Sequence, residues 1–238
     1  MTFLINLLRP LARLFCRILF KIEFYGVENI PREGACIITP NHVTYADPVW
    51  ITIPIVRRVY YMAWDKPFEI PGLGLLMRMF GAFPVNLDGA VDASAQREAI
   101  DLLRNGRALV MFPEGGRTKT GKLMPFKMGA FRFALTHGVP IVPVTINGAE
   151  KIWPVGRMLP RPGKLVITYH TPIPAEQAPE NISRTELKAM ARVLARKTHD
   201  TVASALDPSS LPETESHAPS FDMTLGAGES AAQTNQAD

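Results

Sequence analysis

Cysteine is nearly absent. The 238 residues hold only Cys16 and Cys36, whose spacing matches no metal-binding or redox motif. A chain of this length builds a core without disulfide staples, so both thiols are expected as small buried hydrophobes in a reducing compartment. Long apolar runs are missing too. No stretch reaches the ~20 predominantly apolar residues of a spanning helix, because Arg9, Arg13, Arg17 and Lys21 interrupt the apolar N-terminus at every fourth position. That segment also lacks a small-residue cleavage site, which argues against a signal peptide. His137, His170, His199 and His217 have no acid in a ligand-like local arrangement, so no metal is expected. No internal repeat and no RNA-binding or helix-turn-helix signature is present, and nucleic acid is the partner least expected. Residues 208–238, finally, contain no Lys or Arg.

That last absence uncovers an asymmetry. The tail carries Glu213, Glu215, Asp222, Glu229 and Asp238, so residues 1–207 hold +9 in a chain whose total is +4. A basic body with 47% hydrophobic residues predicts an anionic partner: a membrane surface, a phosphorylated substrate or an acidic carrier. The Ser-, Pro-, Ala- and Glu-rich composition of residues 208–238 predicts a disordered acidic tail. At the other end, the four cations drift by only about 40° per step on a helix and share one broad face. Phe3, Leu4, Leu7, Leu8, Leu11, Leu14, Phe15 and Ile18 fill much of the remainder, and Pro10 kinks the segment. Residues 1–19 are therefore expected as an amphipathic membrane-interfacial helix. An amphipathic helix packed on the protein's own core carries the same pattern.

Between the two ends, residues 20–207 read as one domain. Strands are expected over Leu19–Tyr25, Ala35–Thr39, Val59–Ala63, Ala108–Phe112, Val139–Ile146 and Leu165–Tyr169. Helices are expected around Ala95–Leu103, with Asp92 or Ser94 as cap, around Met128–Leu135 with its stop at Gly138, and over 183–205. Pro67–Phe83, rich in Gly, Pro, Met, Leu and Phe, predicts either an exposed apolar patch, a substrate tunnel wall, or a buried helix with turns. Short apolar strands alternating with helices specify an α/β domain: a mixed, largely parallel sheet flanked by helices, preceded by the N-terminal amphipathic helix.

Asn41-His42-Val43-Thr44-Tyr45-Ala46-Asp47-Pro48 carries the chemistry. It sets a histidine and a carboxylate five positions apart, with no Ser, Cys or Lys suited to be an activated nucleophile. Inside one helix, residues five apart point about 140° away from each other. Pro48 disfavours the helical region at Asp47 and suits a first helical position. Asp47 is therefore expected as a helix N-cap, with His42 in the preceding turn. The carboxylate then fixes the imidazole tautomer, and the imidazole takes a proton from a bound alcohol.

A second cluster, Phe112-Pro113-Glu114-Gly115-Gly116-Arg117-Thr118, follows an expected buried strand, where ligands of α/β sheets gather. Gly115 and Gly116 allow close backbone approach to an anion. Arg117 suits bidentate phosphate contact, and Glu114 suits orienting Arg117 or a ligand hydroxyl. Lys119, Lys122 and Lys127 thicken the positive field. A polar turn with a surface arginine has the same composition.

The two clusters together, in this order and about seventy residues apart, resemble two signature blocks of the glycerolipid acyltransferase family, the 1-acyl-glycerol-3-phosphate acyltransferases with an HxxxxD motif. Val139-Pro140-Ile141-Val142-Pro143-Val144 is similar to the family's fourth, proline-containing apolar block, and the resemblance spans roughly residues 20–172. It implies His42 as catalytic base, Asp47 as its orienting partner, and Glu114, Gly115, Gly116, Arg117 and Thr118 as the acceptor-binding block. It implies an acyl-CoA or acyl carrier protein donor as substrate, with no resident cofactor. The implied acceptor is lysophosphatidic acid and the product phosphatidic acid, for phospholipid biosynthesis. The implied location is peripheral, on the cytoplasmic face of the inner or plasma membrane. One block departs from the pattern. Gly81-Ala82-Phe83-Pro84-Val85-Asn86 is followed by Leu87 where the family has an arginine for the acceptor phosphate. Lys66 or Arg78 is then the expected replacement charge. Alternatively the acceptor is another lysolipid, such as lysophosphatidylcholine, lysophosphatidylethanolamine or an ornithine lipid. A lipid hydrolase and a non-catalytic peripheral membrane protein are the remaining alternatives.

Overall fold

The computed structural model describes residues 20–86, 92–154, 156–157 and 159–212. Segment 1–19 and residues 213–238 of the expected tail lie outside the described residues, as does Leu87. Seven strands form one sheet: β1 (Ile22–Tyr25), β2 (Cys36–Pro40), β3 (Val59–Trp64), β4 (Ala82–Val85), β5 (Ala108–Val110), β6 (Ile141–Asn147) and β7 (Leu165–Tyr169). Their order is β1-β7-β6-β2-β5-β3-β4. Every pairing is parallel except β6 with β7. The sheet is thus mixed and largely parallel, as the alternating elements predict.

β2 lies between β6 and β5 with all five of its residues buried. A strand covered on both faces reads as a continuous apolar run. Because successive side chains alternate, Ile38 joins Val110, Val142 and Val144 on one face, while Ile37 joins Leu109 and Ile141 on the other. The second face is roofed by α3 (Ala93–Arg104), α4 (Gly129–His137) and α6 (Arg184–Ala203), through Ala99, Phe131 and Leu194 among others, while the short α5 (Ala149–Ile152) packs on the first through Ala149 and Ile152. Their ends follow local chemistry. The Asp92 side chain accepts the Ser94 and Ala95 N–H groups. Ser183 and Glu186 form a capping box on α6. Gly138, at φ +61°, stops α4 in the left-handed region.

Of the alternatives for Pro67–Phe83 the exposed apolar patch is what forms: the segment folds as turns and a short helix, α2 (Leu73–Met79), whose only buried residue is Gly74, and Ile70, Leu73, Leu75, Leu76 and Phe80 are exposed. Structure continues past the boundary expected at Asp207. Pro208–Ser210 form a 3-10 turn, Ser210 is buried, and its carbonyl accepts the Leu123 N–H at 2.9 Å. No helix among the described residues is long and apolar enough to cross a membrane.

Candidate active site

β2 and β5 are parallel neighbours, so His42 and Glu114 emerge just beyond the same end of the sheet, the carboxyl end where α/β folds place ligands. After β2 the chain is pinned before it turns. Asn41 sends its Nδ2–H to the Ile146 carbonyl at 3.0 Å and accepts the Ile146 N–H at 2.7 Å, behaving as an extra rung on β6. The turn then wraps around one carboxylate. Asp47 is fully buried. Its Oδ2 accepts from His42 Nδ1 at 2.9 Å, from the Val43 N–H at 2.6 Å and from the Thr44 N–H at 2.8 Å. Its Oδ1 accepts the Thr44 hydroxyl at 2.6 Å. The short helix α1 spans Asp47–Trp50, with Ala46 rather than Asp47 at the N-cap position and Pro48 in its first turn. This corrects the capping expectation: the Asp47 side chain reaches back over the turn instead of forward along the helix. Four donors converge there, and a carboxylate is the group that accepts them all.

The imidazole is held from two directions. Its Nδ1 edge meets Asp47, and its face stacks on Phe112 with centroids 3.9 Å apart and planes 27° apart. Nδ1–H donation to a carboxylate leaves Nε2 with its lone pair, the tautomer a general base requires.

The loop after β5 grips His42 by its backbone. Glu114 Oε1 accepts the His42 N–H at 2.6 Å, and the Thr118 N–H donates to the His42 carbonyl at 2.9 Å. The second oxygen of Glu114 accepts the Met124 N–H at 3.0 Å. Glu114 is only 4% exposed and Thr118 only 2%. Burial pushes the Glu114 carboxyl up to about 7; its two backbone hydrogen bonds act downward, and the nearby Asp47 charge adds a smaller upward push. The Glu114 side chain and the Thr118 backbone, both expected against the acceptor, thus brace His42 from behind, while the Thr118 hydroxyl meets Thr120. Gly115 has φ +72°, and a Cβ there would fall 2.5 Å from Lys127 Nζ, so the lysine tail lies across the glycine. Gly116 faces open space. Arg117 lies with its Cζ 3.3 Å from the centre of the Tyr45 ring.

The Acyltransferase family model matches residues 21–147, from the start of β1 through the last residue of β6. The chain belongs to the acyltransferase family. It is 32% identical over 162 residues to a chloroplastic 1-acyl-sn-glycerol-3-phosphate acyltransferase of Brassica napus, covering 67% of this chain and 47% of that one. A 1-acyl-sn-glycerol-3-phosphate acyltransferase of Bacillus subtilis is 26% identical over 174 residues, 73% of this chain and 84% of its own. Among solved structures, the 1-acyl-sn-glycerophosphate (LPA) acyltransferase of Thermotoga maritima matches with TM-score 0.59 and 29% identity, over 77% of this chain and 69% of that one. The chain spans about half the length of the plant relatives it matches.

The remaining expected residues of this acyltransferase stand apart from the His42 turn. Lys66 opens a 3-10 turn (Lys66–Glu69) after β3, two strands from β2, with its ammonium 3.9 Å from Glu69 and both side chains exposed. Arg78 lies over the Phe68 ring at 5.1 Å. Among the described residues, no cluster of His, Cys, Asp and Glu could hold a metal ion. Four contributors escaped the sequence reading: Asn41 as a rung, Thr44 as a ligand of Asp47, Phe112 as a stacking floor, and Tyr45 beneath Arg117. Each sits inside a motif, so position was available, but their partnerships depend on packing across β2, β5 and β6.

Proposed function

We propose that this acyltransferase moves a fatty acyl group from acyl-CoA or acyl carrier protein to the sn-2 hydroxyl of 1-acyl-glycerol-3-phosphate, giving phosphatidic acid. The carrying observation is an imidazole fixed by a buried carboxylate, with Nε2 unengaged among the described residues and no Ser, Cys or Lys in the HxxxxD turn to serve as a nucleophile. The nucleophile is then the acceptor's own hydroxyl. His42 Nε2 takes its proton as that oxygen bonds to the thioester carbon. The C–S bond breaks, and the imidazolium returns the proton to the leaving thiolate. Asp47 stabilises the imidazolium between those two events.

Arg117 and the Gly115–Gly116 backbone receive the acceptor phosphate in this reading, with Lys66 as a further cation at the same end of the sheet. Apart from the acyl donor no cofactor takes part. The enzyme works at a membrane surface facing the cytoplasm, where its lysolipid acceptor resides. Leu87, standing in place of an arginine, supports one second reading: the same chemistry on another lysolipid.

A radiolabelled transfer assay with oleoyl-CoA tests both. Lysophosphatidic acid, lysophosphatidylcholine, lysophosphatidylethanolamine, an ornithine-lipid precursor and no acceptor are compared, with wild type and His42→Ala. Phosphatidic acid formed by wild type alone supports the first reading, and product on another lysolipid selects the second. Fatty acid released without any acceptor would mean hydrolysis. Absence of turnover with every donor and acceptor would leave a non-catalytic membrane protein.

A further inference from the structure

Arg117 raises a question that its proposed role does not answer. An arginine meant to grip an anion must be held in place, and the usual holder, a carboxylate, would cancel its charge and occupy its N–H groups. Glu114, the acid three residues before it, is engaged with the His42 and Met124 N–H groups. Among the described residues no acid pairs with Arg117. What lies against it is Tyr45, whose ring centre is 3.3 Å from the guanidinium carbon.

We propose that Tyr45 is the positioning residue for Arg117, holding the guanidinium by its face so that every N–H edge remains available to the acceptor's anionic headgroup. An aromatic face attracts the cation through its quadrupole without neutralising it and without accepting from its in-plane N–H groups. Stacking and bidentate anion contact use different parts of the guanidinium, so the two are compatible. The arrangement links the two halves of the site. Tyr45 belongs to the turn that presents His42, between Thr44 and Ala46, and the backbone on both sides of it is fixed: the Thr44 N–H and hydroxyl by Asp47, and the Ala46 N–H by the Thr44 hydroxyl. Tyr45 is 67% exposed and belongs to neither core cluster. Burying that ring does not explain its placement; the cation above it does. The base and the anion-binding group are thereby held in fixed register through one side chain. This inference rests on Arg117 contacting the acceptor, as proposed above.

Four variants of the full chain test it: Tyr45→Phe, Tyr45→Leu, Arg117→Ala and Tyr45→Leu/Arg117→Ala. Each is assayed in detergent micelles with oleoyl-CoA and lysophosphatidic acid, separating KM from kcat. Phe keeps the aromatic face, and Leu keeps apolar bulk without it. Tyr45→Leu is expected to raise the acceptor KM by about 3- to 10-fold with kcat within about 2-fold, and Tyr45→Phe to match wild type. The double variant should be no worse than Arg117→Ala, because Tyr45 acts only through that arginine. If Arg117→Ala raises the KM and Tyr45→Leu does not, Tyr45 has no such role while the Arg117 assignment stands. A loss confined to kcat in Tyr45→Leu would also overturn the inference, because the ring would then serve the His42 turn. An unchanged KM in Arg117→Ala would remove the Arg117 assignment and this inference with it.

Discussion

The two loops that meet at the carboxyl end of the sheet are built on opposite principles. The Asn41–Asp47 turn is buried and cross-linked: Asp47 alone accepts four donors, and Asn41 bonds β6 twice. The Gly115–Arg117 turn is open. Its glycines are exposed, and its arginine rests on a ring rather than on an acid. The group that would move a proton is fixed by many directed bonds, whereas the groups that would meet a charged ligand are left with their charge and donors available. A proton acceptor must hold its geometry to fractions of an ångström. An anion-binding turn must not satisfy itself.

Breaking the rigid side should cost most. His42→Ala is expected to lower kcat by about 10²- to 10⁴-fold while the melting temperature moves little, read by product formation and thermal unfolding of the same samples. Asp47→Asn strikes both properties. Its amide oxygen can still meet the His42, Val43 and Thr44 N–H groups while its NH2 faces the Thr44 hydroxyl, but the charge that strengthens those bonds is gone, costing roughly 1–3 kcal/mol in a denaturant titration, with kcat also reduced.

Glu114 sharpens the comparison through pH. Its folded-state carboxyl, raised to about 7, binds a proton over a range where the unfolded chain, with an ordinary glutamate carboxyl, does not. Stability from this group is fully present below the unfolded value and is lost as pH rises through about 7, an effect on the order of 3 kcal/mol. Urea titrations between pH 5 and 8 should show wild type losing stability relative to Glu114→Gln across that window; parallel profiles would remove Glu114 as the titrating brace. Smallest is the open side. Gly115→Ala places a methyl at φ +72° against Lys127, for which about 1 kcal/mol of strain is expected. Its signature is a few-fold rise in acceptor KM with kcat retained.

Much of this was legible in the chain. Leu165–Tyr169 is a strand with the bounds its apolar run predicts, and the helix over 184–203 starts at a Ser-x-x-Glu signal. Pro48 and the five-residue spacing placed His42 and Asp47 side by side in a turn. What the chain concealed were facts of distance. The antiparallel pairing of β7 on β6 joins residues about twenty apart and has no local signal. Glu114 suggests a partner for Arg117 as long as its burial is unknown; once buried, it accepts backbone N–H groups from the His42 turn and from Met124 further along its own loop. The exposed face of α2 was ambiguous for the same reason, since apolar composition alone does not say which side is covered.

The seam at Ser210 has a practical corollary. Its carbonyl holds Leu123, the next residue gives its N–H to Glu114, and Glu114 holds His42. A tether three links long therefore runs from the Pro208–Ser210 turn to the backbone of His42. Where the polypeptide is cut or fused thus becomes a matter of chemistry: trimming after residue 212 leaves the tether whole, while trimming after residue 207 severs it and lets the brace behind the base slacken.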